Sequence, residues 1–280
     1  MQPAVASGQE LEAAFGNSFY SIVSNRSEKR EDVSAPLIMI RSAALLALVL
    51  SSFSALVAQS ASFTISQNGS PVGTASVNVA PETNGYNSSS VVRVNMQGLN
   101  YSLSKTESLS QSKGLVHVQL SAIVNSSAVN VTAKPDGALV LINTSANGRS
   151  STTRLDGHDV TVFLPDLDPG ALETLLALAA SHNNRDLWAI IPKQAGSVQP
   201  IKITTYPDEK GTLNGAPIAV HHLVATMSDA ETNLFSGPEN HLLQAEVPQQ
   251  GFALVRDGFV MTPSAKPLPP PPAPVQKPSQ

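Results

Sequence analysis

Four aspartates crowd into one short stretch, Asp156, Asp159, Asp166 and Asp168, and paired carboxylates are the groups used for general acid/base work. Their neighbours argue for plainer duties. Asp156 precedes Gly157 as in a turn, Asp168 precedes Pro169 as a helix cap, and Asp159 and Asp166 flank an expected strand. The nearest approach to a nucleophile elbow is Gly69-Ser70-Pro71-Val72-Gly73, which lacks the Gly-x-Ser-x-Gly spacing and reads as a hairpin turn. His221-His222 has the residue type for a metal site. Adjacent strand residues point to opposite faces, so one ion cannot take both, and a half-buried, hydrogen-bonded histidine on each face is expected. His117 alternates with Gln119 and is expected at the surface. Trp188, the only tryptophan, lies in the apolar run Leu187–Ile191 and is expected in the core rather than in a ligand pocket. No catalytic residue, ligand-binding residue, metal ligand or cofactor is assigned from these residues.

Composition removes further chemistries. The chain of 280 residues contains no cysteine, which excludes disulfides, thiolate nucleophiles and Cys-ligated zinc or iron–sulfur clusters. Charged residues make up 14% of the chain, against roughly 25% in a typical soluble domain. Between Ser62 and Thr262 there are 11 Lys/Arg against 16 Asp/Glu, a net charge of −5. No basic stripe is present, and nucleic acid is not an expected partner.

The elements that would carry any site are mainly strands. Apolar residues recur at every second position in Ala75–Val79, Val92–Met96, Leu99–Leu103 and Val116–Leu120, the pattern of a sheet with one buried and one wetted face. Asn68-Gly69, Asn84-Gly85, Asp136-Gly137, Asn147-Gly148, Asp156-Gly157, Asn214-Gly215 and Asp257-Gly258 supply residues that tolerate tight turns. Later strands are expected at Leu187–Ile191, Ile201–Tyr206, Pro217–Met227, His241–Val247 and Phe252–Met261. One helix is expected near 169–182, capped by Asp168, with Pro169 in its first turn and an apolar stripe of Leu172, Leu175, Leu176 and Ala179. The expected fold is mainly β: a single curved antiparallel sheet or half-barrel with one covering α-helix, built as a meander rather than from βαβ units.

The ends read differently. Residues 1–38 are polar and mixed, a non-globular extension, and Met39 is a candidate true start. Residues 39–61 have the order of a signal peptide: Arg41, the uncharged apolar run Ser42–Val57, then small residues at Ala58-Gln59-Ser60-Ala61. The alternative is an uncleaved membrane anchor over residues 42–58, at the short limit for a bilayer of roughly 30 Å. Residues 62–261 form the β-rich domain. Residues 262–280 hold eight prolines and are expected to be extended and disordered.

Two stretches carry a resemblance: Phe63-Thr64-Ile65-Ser66-Gln67-Asn68-Gly69 after the export signal, and Asn240–Pro248 followed by Gly251–Arg256. Together they resemble exported bacterial envelope proteins with a curved antiparallel half-barrel like that of periplasmic lipoprotein carriers. The resemblance implies a fold over about Ser62–Met261 and no catalytic residues. The expected protein is exported, periplasmic or extracellular, and a non-enzymatic binding or carrier module for an apolar molecule or another envelope component. It would meet a membrane only through an uncleaved N-terminal segment. Two other readings stay open, an interaction module with a filled core and a hydrolase whose site is assembled from distant residues.

Overall fold

Eight strands follow one another from Gln59: β1 (Gln59–Gln67), β2 (Ser70–Glu82), β3 (Gly85–Met96), β4 (Leu99–Ser110), β5 (Leu115–Val124), β6 (Ser127–Asp136), β7 (Leu139–Ala146) and β8 (Arg149–Asp156). Each pairs antiparallel with the next. The computed structural model describes residues 58–193 and 196–263. The extension at 1–38, the apolar run ending at Val57 and the tail from 264 onward lie outside the described residues.

The turn chemistry explains the meander. Asn68 and Gly69, and Asn147 and Gly148, take positive φ in succession, the geometry whose twist matches that of the flanking strands. The alternation then sets the faces. The rows Ala75–Val92–Leu103–Ala122–Val129 and Val79–Ser88–Glu107–Val118–Ala133 run across consecutive strands on the inner side. At the β4–β5 junction a bulge pairs Leu109 with Leu115 and Ser108 with His117, which leaves Val116 between them and exposed.

Asp156-Gly157 is the exception among the expected hairpin turns. Gly157 has no positive φ, its N–H donates to the Ala138 carbonyl at 2.9 Å, and the chain leaves the meander instead of folding back. Next come β9 (Thr161–Phe163), helix α1 (Pro169–Ser181) and β10 (Leu187–Ile191), with β9 and β10 parallel. The expectation of no βαβ unit therefore fails at this one place. The three residues of β9 are all buried, and a strand so short shows no alternation to read.

The chain continues through β11 (Ser197–Thr205), β12 (Glu209–Leu213), β13 (Ala216–Met227), β14 (Ala230–Ser236), β15 (Leu242–Val247), β16 (Phe252–Arg256) and β17 (Phe259–Met261). The predicted strand Phe252–Met261 is thus two strands parted at Asp257-Gly258, since β16 pairs with β15 and β1 while β17 turns away to β12. The β1–β16 ladder, with Phe63 opposite Arg256, joins the two halves of the sheet. Strand β13 is shared: residues 216–220 pair with β12 and residues 223–226 with β11. Among the described residues the 17 strands form one open mixed sheet, antiparallel except for β9–β10, in which β8 pairs only with β7 and β9 only with β10.

Helix α1 is the plug of this sheet. Nine of its thirteen residues are buried, Leu178 and Ala171 as well as the predicted stripe, so it is enclosed on most sides rather than laid over one. It joins one large core that draws residues from Phe63 to Leu254, and a smaller cluster gathers Val220, Phe235, Leu243 and Phe259. Among the described residues no helix is long and apolar enough to cross a membrane.

Candidate functional site

Strand β4 places two charges where its pattern calls for apolar side chains. Tyr101 and Leu103 alternate inward, and Lys105 and Glu107 continue that phase before Leu109. Across the sheet Lys105 stands opposite Ser90 and Leu120, and Glu107 opposite Ser88 and Val118. Asp168 comes to the same spot from the N-cap of α1. Its Oδ1 accepts a hydrogen bond from the Gly170 N–H at 2.9 Å, which frees Oδ2 to face the sheet.

Lys105 Nζ lies 2.9 Å from Glu107 Oε2 and 2.7 Å from Asp168 Oδ2, and all three side chains have no exposed surface. The Glu107 contact is a hydrogen bond, whereas Asp168 Oδ2 has no aligned donor. Glu107 Oε1, Ser88 Oγ and Ser90 Oγ are also buried without a partner. Unpaired polar atoms at such depth are costly, about 1–3 kcal/mol each. Close packing holds the cluster in place: a Cβ on Gly170 would come 3.0 Å from Ser88 Oγ, 3.3 Å from Val77 Cγ2 and 3.4 Å from Asp168 Oδ1.

The titration of the cluster follows from dryness and pairing. Burial raises the Glu107 pKa, and the Lys105 ammonium opposes that shift without cancelling it. Burial pulls the Lys105 pKa down, but Asp168 and Glu107 outweigh it and the pKa lies above the ordinary lysine value. Tyr101, on the same strand face, is held as a neutral phenol by burial and then by Asp166 and Asp168. An amine and two carboxyls at this separation can exchange protons and can condense with one another. With no exposed surface, they offer no diffusible substrate a place to bind.

Of the residues singled out in the sequence, only Asp168 belongs to this cluster, and its capping role is as expected. Asp166 pairs with Lys193 at 2.8 Å with more than half of each side chain exposed, and Asp156 and Asp159 are exposed. Ser70 and His117 are exposed as well. The two adjacent histidines do part. His221 Nδ1 contacts Asp208 Oδ1 at 2.9 Å, while His222 stacks between Tyr206 and Phe235 with centroids 5.0 and 4.5 Å away. Trp188 corrects the expectation of core packing: it is half-buried and lies flat on His158, centroids 3.6 Å apart. Leu187, Ala189 and Ile190 of the same strand enter the core in its place.

Two surface depressions lie outside the cluster. One, of about 330 Å³, lies over the ends of β2, β3 and β4 and is lined by Val72, Val94 and Tyr101 together with Arg93, Asn95 and Asn100. The other, of about 140 Å³, gathers Glu173 of α1 with His241 and Arg256 beside the start of β1. Burial raises the Glu173 pKa, with His241, the Leu242 backbone, Arg256 and Lys113 acting against the shift.

The alternation read from the sequence stops at Leu103, short of Lys105 and Glu107. The signal was present: extending the Leu99–Leu103 alternation by three more inward positions lands on Lys105, Glu107 and Leu109.

The chain matches no described protein family, and neither the curated proteins nor the solved structures contain a match to it. The likeness to lipoprotein carriers drawn from residues 63–69 and 240–256 thus has no counterpart among these comparisons.

Proposed function

We propose that this chain is an exported, non-enzymatic interaction module with a filled interior, which meets its partners through its outer faces and strand edges. The observation that carries this reading is the seat of α1. A half-barrel that ferries an apolar molecule needs room inside its sheet, and here Leu175 and Leu178, each 1% exposed, pack into one core with the inward residues of the strands. The Lys105–Asp168 contact ties the first turn of the helix to the centre of β4, so the plug is fastened and not a loose lid. The larger depression lies open at the ends of the strands rather than inside the sheet, although Val72, Val94 and Tyr101 give it a largely apolar lining.

Native mass spectrometry of the protein purified from its own source tests this, together with solvent extraction and lipid analysis of the same sample. The expected result is a bare polypeptide with no stoichiometric apolar adduct. One equivalent of co-purifying lipid would overturn the filled-interior reading and restore the carrier.

A further inference from the structure

We propose that Lys105 and Asp168 are a self-modification site, joined by an intramolecular isopeptide bond between Lys105 Nζ and Asp168 Cγ, with Glu107 carrying the protons. Three groups with complementary chemistry meet in a sealed place. The amine nitrogen touches the carboxyl oxygen Oδ2 at 2.7 Å, which puts the carboxyl carbon one bond further on. Oδ1, the oxygen that would bear the developing negative charge, is already held by the Gly170 N–H at the N-terminus of α1. Glu107 Oε2 sits 2.9 Å from the same nitrogen, within reach of its protons.

The step balances without any other reactant. The ammonium passes one proton to Glu107 Oε2, and the freed lone pair attacks Cγ. Glu107 hands that proton to Oδ2 and relays a second one from nitrogen in the same way. The Cγ–Oδ2 bond breaks, Oδ2 leaves as water, and Glu107 ends as it began. The ionic form leaves a single ammonium facing two carboxylates where burial penalises every charge. The condensed form replaces the ammonium and one of the two carboxylates by a neutral amide, which removes two buried charges at once. Exclusion of water shields the amide from hydrolysis. The chain has no cysteine and no disulfide to brace it, and this bond would tie the middle of the meander to the helix that plugs it.

Mass spectrometry of the full-length protein decides the matter after complete denaturation, so that only covalent links survive. The expected intact chain is lighter by one water than its sequence. Its digest should contain a branched peptide joining the segments around Lys105 and Asp168, with trypsin failing to cut after Lys105. Fragment ions of that peptide separate it from loss of water at the Asp-Gly pairs. Recovery of separate, unmodified Lys105 and Asp168 peptides in full yield would overturn the proposal and leave an ion cluster only. Glu107→Gln, checked for native circular dichroism, should return the chain to its sequence mass with both reacting residues in place. A Glu107→Gln protein that is folded and still fully cross-linked would remove Glu107 from the mechanism.

Discussion

Ser90 on β3 stands directly opposite Lys105 on β4, and its buried hydroxyl makes no hydrogen bond although an ammonium-bearing side chain is its cross-strand neighbour. The lysine reaches past it toward Asp168 and Glu107, leaving the hydroxyl stranded in an apolar row with Val77 and Leu120. The ammonium is held by the two carboxyls and not by the neighbouring hydroxyl.

Lys105→Ala is expected to destabilise the protein by about 3–5 kcal/mol or more, because it strands two buried carboxyls. Replacing Lys105 and Glu107 together by Met and Leu should recover much of the loss, since Asp168 then keeps its cap alone. Urea denaturation of the single and double variants measures both. A single variant as stable as the parent would mean the cluster is open to water.

Leu175→Ala should cost about 2–5 kcal/mol, the usual range for an enclosed leucine. Leu175 is 1% exposed on the helix that fills the sheet. An unchanged melting temperature would place α1 at the periphery.

Gly196→Ala should cost about 1–3 kcal/mol through strain and crowding. Gly196 has φ +90°, and a Cβ there would lie 2.9 Å from Ile142 Cδ1 and 3.3 Å from Leu155 Cδ1. Chemical denaturation that returns parental stability would show that the turn before β11 yields freely.

Glu173 predicts a pH dependence. Its pKa is raised on folding from the ordinary 4.5, so the folded chain holds this proton over a window where the unfolded chain has released it. The stability it contributes is present below the unfolded pKa and is lost as pH climbs through the folded one. Glu173→Gln should therefore flatten the fall in stability as pH rises from the acid range toward neutrality. Denaturation midpoints at a series of pH values read this, and parallel profiles for parent and variant would count against it.

The export reading predicts a mature N-terminus between Gln59 and Phe63. Strand β1 begins at Gln59, so cleavage there would leave most of its pairing with β2 in place. N-terminal sequencing of protein recovered outside the cytoplasm checks it. Met1 or Met39 on a membrane-bound species would mean an anchor.

Local chemistry was enough to determine the meander, the capped helix and the separation of His221 from His222. Alternation with period two, an Asn-Gly that tolerates positive φ and an aspartate before a proline all act over a few residues, so they stand in the sequence as they stand in the fold. The same locality explains the misreadings. Asp156-Gly157 has the text of a hairpin turn, but whether the next strand folds back depends on what lies beyond, and here β9 crosses to pair with β10. Trp188 sits in an apolar run, yet alternation sets it on the face opposite Leu187 and Ala189, where it lies half-buried on the His158 ring. The cluster of Lys105, Glu107 and Asp168 depended on tertiary structure most of all. Two of its members share one strand face, but the third arrives from a helix cap more than sixty residues away. Only the packing of α1 into the sheet seals the three from water, and that burial turns ordinary surface residue types into a reactive set.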